Sequence, residues 1–269
     1  MNVWELLRLE WKRYWPNPTF RMICALYAGS FGLLVLLARS SGRNMTFTVN
    51  HTTTHPMAGL FVYPQNWPLL ACIGSWMNVF LLGFLGVFMI TMEFSNRTLR
   101  QSVIFGMTRL EVAVSKLVWL VALALAAAGF YILLALGGEV RDGGGLPLAG
   151  CVARFFLQAL GYLCMGTLAG LLIRQTALAA LAYLSYVFIL ETVCRWIFYF
   201  SVARTRLLLF LPNHALGALT PLSVPESVNH LVHSAFTTPL TPAEAELTAL
   251  VYLGIFAILF CRTIAGSDL

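Results

Sequence analysis

Charge is scarce in this chain, so every charged residue inside or beside an apolar run carries information. Only 10% of the 269 residues are Asp, Glu, Lys or Arg, while 59% are hydrophobic. The densest polar stretch reads Glu93-Phe-Ser-Asn-Arg97-Thr98-Leu-Arg100-Gln101-Ser-Val-Ile-Phe105-Gly106-Met-Thr108-Arg109-Leu-Glu111. Leu99, Val103 and Met107 recur at i, i+4 and i+8, with Arg97, Arg100 and Gln101 elsewhere on the circumference. That spacing predicts a short amphipathic helix. Gly106 is a natural stop, and Thr108-Arg-Leu-Glu111 has the form of a capping box that starts the next helix. Arginines displayed this way can donate charge-assisted hydrogen bonds to acidic or carbonyl groups of a partner. The chemistry is docking and transmission of force; a plain connector is the alternative.

Other constellations in the chain compete with this one. Glu191 and Arg195 stand at i, i+4 inside an apolar run and can pair without leaving it. An ionisable residue in such a run is a functional candidate, because unpaired burial costs several kcal/mol. Glu-x-x-x-Arg is similar to the CAAX-type intramembrane proteases, but those carry adjacent glutamates, and Glu191 follows Leu190. His51-x3-His55 and His230-x2-His233 have spacings compatible with metal ligation only if helical, and they lack Cys or acidic neighbours. No metal site is expected. No Ser-His-Asp set or carboxylate pair can be placed together, so no catalytic residue is expected either. The six cysteines form no C-x-x-C pair and read as small apolar residues. A phosphate-binding loop needs Gly-Lys-Ser/Thr. The lysines, Lys12 and Lys116, follow Trp11 and Ser115, so no Gly-Lys exists.

These residues need elements to hold them, and the composition dictates which. Mean hydropathy is +0.80, and a chain this apolar cannot cover a water-facing surface. It reads as an all-α integral membrane protein with one transmembrane domain over residues 1–269. Six spans are predicted, at about 20–38, 69–92, 117–138, 155–173, 177–200 and 247–261. The last is short, rising about 22 Å, and must borrow residues from Ala243 onward. Before the first span, Trp4, Leu7, Trp11, Tyr14 and Trp15 share one helical face, opposite Glu5, Lys12 and Arg13, until Pro16 and Pro18 stop the helix. Such a helix lies in the membrane interface. The first apolar run begins too late, and after too mixed a charged segment, for a signal peptide, which is therefore not expected.

Basic residues set the orientation. Arg8, Lys12, Arg13 and Arg21 stand before or at the very start of the first span, and Arg39 and Arg43 follow it. Both termini are expected in the cytoplasm, with the loops 39–68 and 201–242 outside, the second as short packed helices. The net charge of +6 is thereby a matter of topology, not of nucleic-acid binding.

A span ending in Glu93, then Thr98-x-Arg100, an amphipathic turn, Gly106-x-Thr108-Arg109 and finally Lys116 resembles the ABC-2 type permease family, membrane subunits of ABC exporters. The interfacial leading helix, six spans and external helices with Leu211-Pro212-Asn213 extend the resemblance over nearly the whole chain. The charged fifth span departs from it. The resemblance implies a coupling helix between spans two and three, docked into a separate cytoplasmic ATPase present in two copies. Arg97, Thr98, Arg100, Gln101 and Phe105 would serve that contact, with Glu93 at the base of span two. It further implies a dimer with a second permease copy or homologue, and a location in the bacterial inner membrane among its lipids. This chain would hold no cofactor, ATP and Mg²⁺ being bound by the ATPase. A hydrophobic or amphipathic export cargo fits the apolar spans, and the outer loops leave room for a periplasmic partner. A membrane-embedded enzyme and an assembly scaffold are the alternatives.

Overall fold

The computed structural model describes residues 3–44, 47–49, 52–54, 66–104, 106–137, 147–201, 209–221 and 240–266. Among them six helices are long and apolar enough to cross a membrane: Pro18–Ser40, Asn66–Ser95, Arg109–Leu136, Ala149–Ile173, Thr176–Cys194 and Pro242–Gly266, numbered here spans 1 to 6. The chain is a multi-pass, predominantly α-helical membrane protein. Strands Phe47–Val49 and Thr52–Thr54 add a small antiparallel hairpin in which Val49 faces Thr52.

The observed helices are mostly longer than their apolar runs because capping residues extend them. Thr108 is the N-cap of span 3, and both halves of the expected capping box with Glu111 are formed. A second box, not anticipated, starts span 6. There the Glu244 carboxylate accepts from the Thr241 backbone N–H at 2.8 Å, ahead of Pro242 in the first turn. Span 6 thus reaches 25 residues, about 37 Å, enough to cross.

Spans 2 and 4 form the centre. In their most apolar windows 56% and 61% of residues are buried, against 17% in span 6. Glycines allow their backbones to touch, as small residues do between membrane helices. A Cβ on Gly166 would lie 2.0 Å from the Gly83 carbonyl oxygen, and one on Gly86 would lie 2.5 Å from that of Leu163.

Two spans contain a π-helical turn, Asn78–Leu82 in span 2 and Tyr186–Leu190 in span 5. The wider turn disturbs the backbone ladder, and a side chain from another element compensates each time. Tyr183 donates to the Val79 carbonyl at 2.7 Å, and Asn213 Nδ2 donates to that of Val187 at 3.1 Å.

The leading helix Val3–Tyr14 lies beside span 3, with Leu6, Glu10 and Tyr14 turned inward. The aromatic stripe expected on one face is largely outward, since Trp4, Trp11 and Trp15 are 76%, 49% and 45% exposed. Tyr14 alone of that stripe is fully enclosed. On the same side, Arg109 reaches the Ala265 carbonyl at 2.9 Å and caps the end of span 6. On the opposite side Arg39 donates to the carbonyls of Leu134 and Gly137, tying span 1 to the end of span 3.

Gly166→Leu should therefore wedge spans 2 and 4 apart. A loss of about 3 kcal/mol is expected, read as a lower melting temperature in detergent. Gly129→Ala, where an added Cβ meets nothing within 4 Å, should be neutral or slightly stabilising. Equal effects of the two would refute the close crossing.

Candidate functional site

Four elements converge where the leading helix meets the bundle. Glu10, Arg13 and Tyr14 stand at i, i+3 and i+4 of the leading helix and share a face. Glu93 comes from the last turn of span 2, and Ser115 and Lys116 from the second turn of span 3. Ser102 comes from a short helix, Thr98–Ile104, that joins spans 2 and 3 and is called here the connecting helix. Glu10, Tyr14, Glu93, Ser115 and Lys116 are all buried, Glu93 and Tyr14 completely.

Lys116 is the hub. Its ammonium donates to Glu10 Oε2 at 2.6 Å, to Tyr14 Oη at 3.2 Å and to Glu93 Oε1. Tyr14 O–H donates to the same Glu93 oxygen. Ser115 Oγ donates to Glu10 Oε1 at 3.0 Å. The Arg13 guanidinium lies 3.5 Å from both carboxylates and donates to Ser102 Oγ at 2.9 Å. Two carboxylates thus face one ammonium and one guanidinium, so the formal charges cancel. Glu93 Oε2 is buried without a hydrogen-bond partner among the described residues, which leaves one acceptor site in reserve.

The surroundings act on the two titratable groups of the leading helix that complete the cluster. Burial opposes the charge on Arg13, but Glu93 and Glu10 outweigh it and hold the guanidinium protonated more firmly than usual. Burial, reinforced by both carboxylates, pushes the Tyr14 hydroxyl well above its usual 10.0.

The connecting helix hangs from this cluster. Thr98 Oγ1 donates to the Glu93 carbonyl at 3.4 Å, Leu99 is buried, and Ser102 receives Arg13. Arg97, Arg100 and Gln101 are exposed on the other face, beside Ile104 at 74% exposure. Of the residues singled out for partner contact, Arg97, Arg100 and Gln101 thus present an outer surface and Thr98 turns inward. Glu93 has no surface to offer a partner directly. Phe105 lies outside the described residues. The turns at each end are sharp: Arg97 has φ 55° and Gly106 φ 96°, the latter a conformation that favours glycine.

A second polar centre lies between the spans, and sequence reasoning passed over it. Tyr27 O–H donates to Asn78 Oδ1 at 2.9 Å, and Asn78 Nδ2 reaches Gln158 Oε1 at 3.4 Å. Gln158 Nε2 is within 2.8 Å of Ser75 Oγ and Thr220 Oγ1 and 3.0 Å from the Leu216 carbonyl. The only signal in the sequence is an isolated amide within each apolar run.

Glu191 sits in span 5, as expected, and is buried. Its carboxylate accepts the Asn213 and His214 backbone N–H groups at 3.0 and 2.6 Å. These belong to the first turn of the short helix Pro212–Ala218, where free N–H groups favour an anion. The Arg195 side chain lies outside the described residues, as do His51, His55, His230 and His233. No protein-family model matches the chain, and no curated protein matches it.

Two predictions follow from the cluster. Lys116→Met strands two buried carboxylates and should cost about 3–5 kcal/mol, read from chemical or thermal unfolding in detergent. Adding Glu93→Gln and Glu10→Gln should recover much of the loss, and failure to recover would refute the hub. The second concerns alkaline pH. With its folded pKa raised, Tyr14 contributes stability that is intact below the unfolded value of 10.0 and is lost as pH climbs toward the folded value. Tyr14→Phe lacks that loss. The variant should be less stable than wild type at pH 8, and the gap should narrow above pH 10; a constant gap would contradict the assignment.

Proposed function

We propose that the chain is the transmembrane permease subunit of an ATP-binding cassette exporter of the ABC-2 type, driven by a separate ATPase. The observation that carries this reading is the connecting helix. Its outer face shows Arg97, Arg100, Gln101 and Ile104, and its inner face is tied through Ser102 and Thr98 to Arg13 and Glu93. A displacement of this helix by a docked partner therefore reaches the leading helix and spans 2 and 3 together. On this reading the connecting helix, both termini and the ion cluster are cytoplasmic, the membrane is a bacterial inner membrane, and ATP and Mg²⁺ sit in the partner.

Two copies of the chain would form the pathway between their first, second and fifth spans. An exposed aromatic strip supports that placement. Trp76 and Phe80 of span 2 stack at 6.4 Å, and Phe80 stacks on Phe188 of span 5 at 5.0 Å. Such a strip suits a second copy and a hydrophobic or amphipathic cargo. The membrane-enzyme alternative gains nothing from Glu191, whose carboxylate holds the helix Pro212–Ala218.

The test is co-expression with an ABC ATPase, which this reading expects to be encoded beside the gene. Arg97→Glu with Arg100→Glu should lower stimulation of that ATPase by about tenfold or more, as two charge-assisted contacts are lost, without impairing insertion. Arg204→Glu with Arg206→Glu, in the segment assigned to the outside, should leave it unchanged. Loss of coupling in the outer pair alone would overturn the reading, as would activity of the chain without any partner.

A further inference from the structure

A groove of about 580 Å³ runs between the leading helix and span 3, away from the connecting helix and the proposed pathway. Trp4, Leu7, Arg8 and Trp11 form one wall and Trp119, Ala122, Leu123 and Ala126 the other. Both sets follow i, i+3, i+4, i+7, so each wall is one face of a helix. The alanines make the hollow. Its volume falls within the range of roughly 300–1,000 Å³ in which pockets enclose small molecules.

Three observations identify the occupant. First, the span 3 wall is continuous with Val121 and Leu125, 38% and 57% exposed. On a helix that crosses a membrane, the medium meeting such a surface is acyl chain. Second, the Trp119 ring is buried at one end of the groove, stacked on Tyr14 at 6.0 Å and met edge-on by Trp11 at 6.2 Å. Its Nε1 is enclosed and has no hydrogen-bond partner among the described residues, so the ring closes that end of the groove as an apolar wall. Third, Arg8 is exposed at the rim and makes no ion pair among the described residues. A guanidinium there matches a phosphate.

We propose that this groove is a binding site for one anionic phospholipid of the surrounding bilayer. An acyl chain lies between the alanines and Trp4–Leu7, with the Trp119 ring closing its end, and the headgroup phosphate pairs with Arg8. The site stands whether or not the chain is a permease.

The experiment uses the full chain in nanodiscs of equal phosphatidylglycerol and phosphatidylcholine, with retained lipid counted by native mass spectrometry. Wild type should retain phosphatidylglycerol preferentially. Arg8→Gln should reduce that preference about tenfold while keeping a lipid bound. Ala126→Trp should fill the groove and release both lipids. If it does not fold, by thermal melting, Ala122→Leu takes its place and should show the same loss. Glycerol phosphate, which has a headgroup but no chain, should not compete. Unchanged retention in the filled variant, displacement by glycerol phosphate, or a changed oligomeric state with unchanged lipid would each overturn the proposal. The last two would assign the site to a free anion or to a second copy.

Discussion

Lys116 stands between two carboxylates that come from different parts of the chain and have almost no access to water. Desolvating three charges is expensive, and their mutual attraction offsets the cost only while all three remain in place. The leading helix cannot leave without taking Glu10 from the ammonium, and the end of span 2 cannot rotate without taking Glu93. Arg13 extends the same constraint to Ser102 and hence to the connecting helix. The arrangement makes four elements behave as one unit. A surface salt bridge could not do this, because water would replace either partner at little cost.

The middle of the bundle obeys the same rule with neutral groups. A carbonyl released by a π-helical turn has no water to turn to, so Tyr183 and Asn213 each supply a donor from a neighbouring element. Asn78 and Gln158 satisfy one another while linking span 1, span 2, span 4 and the helix Pro212–Ala218. The glycine crossing of spans 2 and 4 brings these groups close enough to meet.

What could be read from the sequence was local. The six spans follow from runs of apolar residues, and the start of span 3 from four consecutive residues, Thr108 to Glu111. The connecting helix was legible because Leu99, Arg97 and Arg100 sort to different faces and Gly106 ends it. Burial of Glu10 was not legible. The aromatic periodicity of the leading helix is real, but an aromatic face can turn to lipid as readily as to protein, and the protein chose Leu6, Glu10 and Tyr14. Lys116 was placed by resemblance, yet nothing local connects it with a residue 106 positions earlier. The π-helical turns leave no periodic trace at all. The charge in span 5 reads as an interruption because its partners, the first N–H groups of a helix some 22 positions later, have no side-chain signature.

The π-helical turn in span 2 has a bearing on how the two polar centres are aligned. Asn78, at its start, faces Gln158 in the middle of the bundle, whereas Glu93, fifteen residues on, faces Lys116 at its edge. Each residue of an α-helix turns the chain by about 100°, so the angle between two such positions is set by the number of residues and by how they are wound. A segment wound more widely, as Asn78–Leu82 is, shifts that angle without adding or removing a partner. The turn is in this sense a gear between two fixed contacts, and the length of span 2 is no longer free to drift. An insertion or deletion between Asn78 and Glu93 would have to be absorbed by rewinding the same five residues, or one of the two centres would lose its register with the rest of the protein.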